Sequence, residues 1–156
     1  MVQAPTFACD VMLGKLARWL RLAGFDTAYD PRWGDRQLAA LARAEGRWLL
    51  TRDRRLAAAA GPRVLLLAGE TLPEQVRELR TRLELAARPE LFFTRCSRCN
   101  APLVEVSRGA VAHLVPPYVA AHAPRFVRCL GCGQMYWPGS HVTRMTPMLA
   151  ELFLGR

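Results

Sequence analysis

Four of the five cysteines form two Cys-x-x-Cys pairs, Cys96 with Cys99 and Cys129 with Cys132, and 29 residues separate the pairs. Two such pairs are typical of a four-thiolate zinc site, in which each pair supplies one tight turn. Four sulfur ligands close the zinc coordination shell and leave no position for a substrate. The sequence therefore predicts a structural zinc ribbon, with a redox-active pair and an iron–sulfur cluster as alternatives. Cys9 lies alone in an apolar run and is expected to be a small buried side chain.

Aspartates in the first 90 residues form a second group that could do chemistry. Four of the five stand directly after an apolar run or at the start of a helical pattern, namely Asp10, Asp30, Asp35 and Asp53. Clustered carboxylates repel one another unless a cation lies between them, and Mg²⁺ or Mn²⁺ is the natural cation for oxygen ligands. Such a metal generates hydroxide from water and stabilises charge on a transferring phosphoryl group.

Each of these aspartates also has a purely structural interpretation. Asp35 can be a helix N-cap, Asp30 before Pro31 can initiate a turn, and Asp53 can pair with a neighbouring arginine. Asp10 is the hardest to explain in this way, because a carboxylate directly after a buried run is costly without partners. The metal hypothesis therefore depends on the positions of the four aspartates together and not on any one of them.

Alternating strand and helix patterns are expected to position these aspartates. Short apolar runs predict strands near residues 6–9, 25–29, 47–51 and 64–67, and apolar residues at helical spacing separate them. The helix after Thr71 opens with the Ser/Thr-x-x-Glu spacing of a capping box. This alternation predicts an α/β fold with a parallel sheet flanked by helices. Because sites in such sheets form at the carboxyl ends of strands, the aspartates are expected to share one edge.

The character of the sequence changes near residue 90, which suggests two domains, 1–90 and 91–156. The second segment is expected to contain short strands and turns around the cysteines. It has few large apolar side chains, so bound metal should contribute much of its stability.

The chain is strongly basic, with 22 lysines and arginines against 13 aspartates and glutamates and a formal charge of +9. All but Lys15 of the basic residues are arginines, which suit phosphate through their planar fork. The excess favours a polyanionic partner such as RNA, although compositional bias toward arginine is the alternative. The predicted substrate-binding residues lie beside the aspartates or the second cysteine pair: Lys15, Arg18, Arg52, Arg54, Trp137, His141 and Arg144. Trp137 and His141 could instead have structural roles.

Composition and segment lengths exclude several classes of protein. Hydrophobic residues make up 51% and charged residues 22%, which is unlike a disordered chain, collagen or a coiled coil. The apolar runs are far shorter than the roughly 20 residues of a membrane span, and the start of the chain does not resemble a signal peptide. We therefore expect a cytoplasmic protein without a membrane partner, and its oligomeric state stays open.

Taken together, several sequence blocks resemble the Mut-7 C-terminal RNase family. They are Phe7-Ala8-Cys9-Asp10-Val11-Met12-Leu13-Gly14-Lys15-Leu16-Ala17-Arg18-Trp19-Leu20-Arg21, Leu50-Thr51-Arg52-Asp53, the paired cysteines, and Tyr136-Trp137-Pro138-Gly139-Ser140-His141. The resemblance implies a PIN-like nuclease fold joined to a zinc ribbon and a divalent-metal ribonuclease whose acids are Asp10, Asp35 and Asp53. PIN-like sites often have a fourth acid shortly after the third, whereas this chain has Arg54-Arg55-Leu56 there. Either Asp30 substitutes for that acid, or three acids and water hold the metal.

The predicted function is therefore hydrolysis of RNA phosphodiester bonds, with Mg²⁺ or Mn²⁺ at the aspartates and the zinc ribbon assisting RNA binding. Two alternatives remain. Because the fourth acid is missing, the chain could bind RNA through a degenerate PIN-like domain without cleaving it. The basic surface could also dock an acidic protein.

Overall fold

A four-stranded parallel sheet forms the centre of the structure, a computed structural model that describes residues 3–156. Its strands lie in the order β2-β1-β3-β4 and are β1 (Phe7–Cys9), β2 (Thr27–Ala28), β3 (Trp48–Thr51) and β4 (Val64–Leu66). Successive side chains point to opposite faces, so Ala8 and Leu49 enter one core while Phe7 and Leu50 enter the other. The predicted parallel α/β sheet is confirmed.

Helices cover both faces of this sheet. The first four are α1 (Gly14–Leu22), α2 (Asp35–Glu45), α3 (Arg54–Ala59) and α4 (Leu72–Arg82). Leu38 of α2 and Leu56 of α3 pack in the core on one face. Leu16 of α1 and Leu79 of α4 pack in the core on the other. Short 3-10 turns lie at Val11–Leu13, Pro89–Leu91 and Ala112–Leu114.

Local signals fix several helix ends. Thr71 and Glu74 form the predicted capping box at the start of α4. Gly46 ends α2 in the left-handed conformation, at φ 65°. The structural interpretation of Asp35 as an N-cap is wrong, because Gly34 is the N-cap and Asp35 is the first residue of α2. The Asp35 carboxylate is therefore in the first turn of α2 and makes no cap hydrogen bond.

The cysteine-bearing segment forms a small antiparallel sheet of order β5-β6-β7. Its elements are β5 (Leu103–Val106), α5 (Arg108–Val111), α6 (Pro117–His122), β6 (Phe126–Cys129), β7 (Met135–Tyr136) and α7 (Ser140–Leu154). Val111, Phe126 and Met135 belong to its own small core. Within the described part of the chain, no helix combines the length and the apolarity needed to cross a membrane.

The long helix α7 was not predicted, because residues 91–156 were expected to hold only short strands and turns. It packs against α4, and its buried Leu149 and Phe153 complete the core that contains α1. The ring of Phe153 lies 6.2 Å from that of Phe25, centroid to centroid. The last element of the second segment therefore stabilises the first segment. The domain division near residue 90 stays a prediction.

Replacing Gly24 with alanine should destabilise the fold by about 2 kcal/mol or more, because an L-residue is strained at positive φ. Gly24 follows α1 at φ 95°, and a Cβ there would lie 2.5 Å from the Leu91 carbonyl oxygen. Urea unfolding measures the change. Gly34→Ala is the control, because a Cβ at Gly34 meets nothing within 4 Å, and its cost should stay below about 1 kcal/mol. Equal costs at both positions would contradict the argument.

Candidate active site and metal centre

The strand order places a crevice between the carboxyl ends of β1 and β3. The chain passes from β1 outward to β2, then returns across β1 to β3, and the helices of these two connections lie on opposite faces. Open α/β sheets bind ligands at this kind of reversal point. Asp10 directly follows β1, and Asp53 follows β3 with one residue, Arg52, between them. Two of the three predicted acids are thus at the reversal point.

Asp10 is a buried carboxylate with partners on both oxygens. The residue is only 5% exposed to solvent. Oδ1 accepts a hydrogen bond from the backbone N–H of Met12 at 3.1 Å, and Oδ2 accepts one from the Thr51 hydroxyl at 2.7 Å. These donors compensate for the cost of burying the carboxylate. Each oxygen keeps a lone pair for a further partner.

Thr51 connects the two acids. Its hydroxyl oxygen accepts a hydrogen bond from the backbone N–H of Asp53 at 2.9 Å while donating to Asp10. Asp53 in turn caps α3, since Oδ1 accepts from the N–H groups of Arg55 at 2.8 Å and Leu56 at 3.3 Å. The role of Thr51 was not predicted. Its signal in the sequence is a polar side chain at the end of an otherwise apolar strand.

The other two aspartates are in different settings. Asp30 accepts from the backbone N–H of Arg32 and forms a two-point ion pair with its guanidinium, at 3.0 and 2.7 Å. The hydrogen bonds from Arg32 lower the pKa of Asp30 to about 2. Asp30 therefore has the turn role that its position before Pro31 suggested. Asp35 is exposed at the start of α2.

The carboxylates do not form a compact ligand group in this structure. Among residues 3–156, the four cysteines are the only set of three or more His, Cys, Asp or Glu side chains whose ligand atoms lie within 4.8 Å of one another. The structure thus links Asp10 and Asp53 through Thr51, and the carboxylates of Asp10, Asp35 and Asp53 do not gather within 4.8 Å of one another.

The basic side chains that were predicted to bind substrate beside the acids differ in their exposure and in their partners. Arg52 is half-buried, with Nη2 3.9 Å from Glu70 Oε1 and a buried Nε that has no partner within residues 3–156. Arg54 is exposed in the first turn of α3. Lys15 and Arg18 are exposed on α1, one turn apart. All four are available to a phosphate group from solvent, Arg52 the least.

The four cysteines are arranged as a metal-binding group. Sγ of Cys96 lies 3.7 Å from Sγ of Cys132, and Sγ of Cys99 lies 3.2 Å from Sγ of Cys129. Tetrahedral zinc with Zn–S bonds of about 2.3 Å requires sulfur atoms about 3.8 Å apart. The donor set and its spacing fit zinc, and the predicted zinc ribbon agrees with this geometry.

Backbone groups prepare one of these sulfurs, Sγ of Cys129, for a cation. The N–H groups of Gly131 and Cys132 donate to Sγ of Cys129 at 3.3 and 3.4 Å. Burial alone would raise the pKa of the Cys129 thiol, but these hydrogen bonds and the one from Cys99 lower it below its usual value. A thiolate is the form that binds metal, so the turn favours the ligand state.

The predicted RNA-contact residues after the second pair lie around the start of α7. Trp137 is half-buried and packs against the small core of the ribbon. His141 is exposed in the first turn of α7, and exposed Arg144 donates from Nε to the Ser140 carbonyl oxygen at 3.3 Å. Trp137 thus has a structural role and retains an accessible part.

Two residues that sequence reasoning missed join the ribbon to the sheet. Arg21 is buried, and it donates from Nε to the Thr27 carbonyl oxygen and from Nη1 to the carbonyl oxygens of Ser97 and Arg98. The Asn100 side chain accepts from the N–H of Thr27 at 2.9 Å and donates to Asp26 at 2.7 Å. The first cysteine turn is therefore fixed to the edge strand β2. Arg21 ends the Phe7–Arg21 block of the resemblance, but nothing in the sequence indicates these contacts of Arg21 or of Asn100.

Comparison with known proteins gives one match. The family model described as Mut7-C RNAse domain matches residues 5–149, which is nearly the whole chain. The match includes the three predicted acids and all four clustered cysteines. No curated protein and no solved structure matches the chain.

Proposed function

The chain belongs to the Mut7-C RNAse domain family, and on that premise we propose that it is a divalent-metal-dependent ribonuclease that hydrolyses RNA phosphodiester bonds. The family implies a nuclease-like function with RNA as the substrate. We further propose that the catalytic metal is Mg²⁺ or Mn²⁺, and we propose the residue roles given below.

The hydrogen-bonded series from Asp10 through Thr51 to Asp53 carries the proposal. Two short contacts, 2.7 Å and 2.9 Å, connect a buried carboxylate and the backbone of a second acid at the reversal point of the sheet. A buried carboxylate that contributed only to stability would need no second acid and no opening to solvent. The Asp53 residue is partly exposed, so the series reaches the surface.

The oxygen donors present suit a hard divalent cation. Asp10 and Asp53 would hold it from adjacent strands, and Asp35 would complete the set by rotation of its exposed side chain. When bound, such an ion supplies activated water and stabilises charge on the phosphoryl group. Thr51 fixes the orientation of the Asp10 carboxylate through its hydroxyl proton. Arg52 and Arg54 would bind the phosphate of the strand through their guanidinium groups.

The ribbon has two proposed roles. Zinc bound by four sulfurs stabilises the small sheet and offers no catalytic position. Trp137, His141 and Arg144 contact RNA, with stacking from the indole and ionic contacts from the basic groups.

Cleavage of single-stranded RNA by zinc-loaded protein, with and without added Mn²⁺, tests the function. We expect turnover only with Mn²⁺ or Mg²⁺, because the aspartates need a cation to gather around. Elemental analysis after removal of added divalent ions verifies that ribbon zinc remains. Cleavage at full rate with zinc alone would contradict the proposal.

RNA binding without hydrolysis is the second candidate function. Two observations favour it: Asp10, Asp35 and Asp53 do not gather within 4.8 Å of one another, and Arg54-Arg55-Leu56 contains no acid. It predicts salt-sensitive RNA binding and no turnover with any divalent ion, so the same experiment distinguishes the two functions.

A further inference from the structure

A cavity of about 440 Å³ lies where α1, the ribbon sheet and the start of α7 meet. Its volume is in the range of small-molecule and cofactor sites. Its lining comes from both segments of the chain and includes Arg18, Arg95, Arg125, Tyr136, Trp137 and His141. The cavity adjoins Arg18 and Leu22 on α1, and none of the predicted acids lines it.

The lining is positively charged and contains no acid. Three arginines, Arg18, Arg95 and Arg125, contribute to one cavity together with His141. Arg95 donates to the Asn100 carbonyl oxygen at 3.0 Å. The side chains of Arg18 and Arg125 make no hydrogen bond within residues 3–156, and no described carboxylate lies within 4.0 Å of them. Like charges that share a cavity repel one another, so an anion would stabilise this arrangement.

The rest of the lining is apolar and aromatic. Trp137, Tyr136 and Phe93 contribute rings, and Met135 and Met145 contribute flexible apolar side chains. Trp137 and Tyr136 are held in place, because the indole packs on the ribbon core and the Tyr136 hydroxyl lies 3.1 Å from Sγ of Cys96. Flat rings next to unpaired guanidinium groups match a ligand that has a planar base at one end and a phosphate at the other.

We propose that this cavity binds one nucleoside monophosphate unit, with its base against Trp137 and its phosphate between Arg18 and Arg125. RNA as the source of that unit rests on the proposed function, and a free nucleotide has the same chemistry. In a bound strand, the cavity holds a nucleotide away from the acids and fixes the register of the strand relative to them.

Titration calorimetry with zinc-loaded full-length protein, without added Mg²⁺ or Mn²⁺, tests the proposal. The probes are AMP, adenosine and inorganic phosphate, and AMP should bind more tightly than either part alone. Arg18→Ala and Arg125→Ala should each weaken AMP binding about tenfold, because each removes a charge-assisted contact. Trp137→Leu should weaken it by a similar factor through lost stacking. Arg36→Ala, an exposed arginine on α2, is the matched control and should change nothing.

The proposal is overturned if AMP does not bind, or if AMP affinity is the same in the arginine variants as in the Arg36→Ala control.

A competition experiment with a short oligoadenylate then shows whether the bound nucleotide belongs to an RNA strand or is free. Displacement of AMP by the oligonucleotide supports a nucleotide within a strand, and failure to displace it supports a free nucleotide. Cleavage is measured separately with Mn²⁺. If AMP binds but RNA is not cleaved, only the proposed function is refuted. If RNA is cleaved but the Arg18, Arg125 and Trp137 variants bind AMP as the wild type does, only the nucleotide site is refuted.

Discussion

Replacing Asp10 with asparagine should reduce Mn²⁺-dependent RNA cleavage by at least about a hundredfold, the usual scale for losing an electrostatic group at a reacting centre. The amide keeps the shape of the side chain and can still accept from the Met12 N–H. It removes the negative charge that would hold the divalent ion, and with its oxygen toward Met12 it places its N–H₂ opposite the Thr51 hydroxyl. RNA affinity, measured by fluorescence anisotropy, should change little because the cationic surface is untouched.

Asp30→Asn provides a matched control for this result. Asp30 follows the edge strand β2, but its carboxylate is paired with Arg32 in a turn. Its loss should leave the cleavage rate near that of the wild type, because Arg32 already occupies both oxygens. Circular dichroism on both variants verifies the fold. If the Asp10 variant cleaves RNA at the wild-type rate, the proposed mechanism is wrong. If both variants lose the same share of the cleavage rate, any loss of charge in this region is enough to reduce cleavage.

Most of the first segment could be predicted from the sequence because its signals are local. Apolar runs alternating with helical patterns give a parallel sheet, and Thr71 with Glu74 gives the start of α4. The second strand was placed at 25–29 but extends only over Thr27–Ala28. The backbone of Thr27 in this strand also bonds to side chains outside the sheet, those of Arg21 on α1 and Asn100 in the ribbon. The contact with Asn100 comes from a distant segment, and no local pattern records it.

The site was predictable in its positions and less so in its geometry. Strand ends placed Asp10 and Asp53 at one edge, and the paired cysteines identified the metal ligands by spacing alone. Thr51 was missed because its importance depends on β3 lying next to β1, which sequence periodicity does not determine. Likewise, α7 was missed because Pro147 lies inside it, and a proline there normally argues against a helix.

Replacing Cys99 with serine should lower the thermal stability sharply, with a fall in the melting temperature of at least about 10 °C. Tight zinc binding requires all four sulfur ligands, and the small ribbon core of Val111, Phe126 and Met135 is a marginal source of stability on its own. Differential scanning calorimetry measures the shift, and elemental analysis should give about one zinc per wild-type chain and much less in the variant.

Cys9→Ala is the matched cysteine control, since it removes a thiol without touching the cluster. Cys9 is buried in the sheet outside the group of four cysteines, and burial raises the pKa of its thiol to about 12. The Cys9 variant should therefore retain its zinc and lose only the modest stability of a small core truncation. Its zinc content is the decisive measurement. If wild-type protein contained iron and sulfide in place of zinc, or if the Cys99 and Cys9 variants lost equal amounts of metal, the assignment of the four sulfurs as a structural zinc site would be wrong.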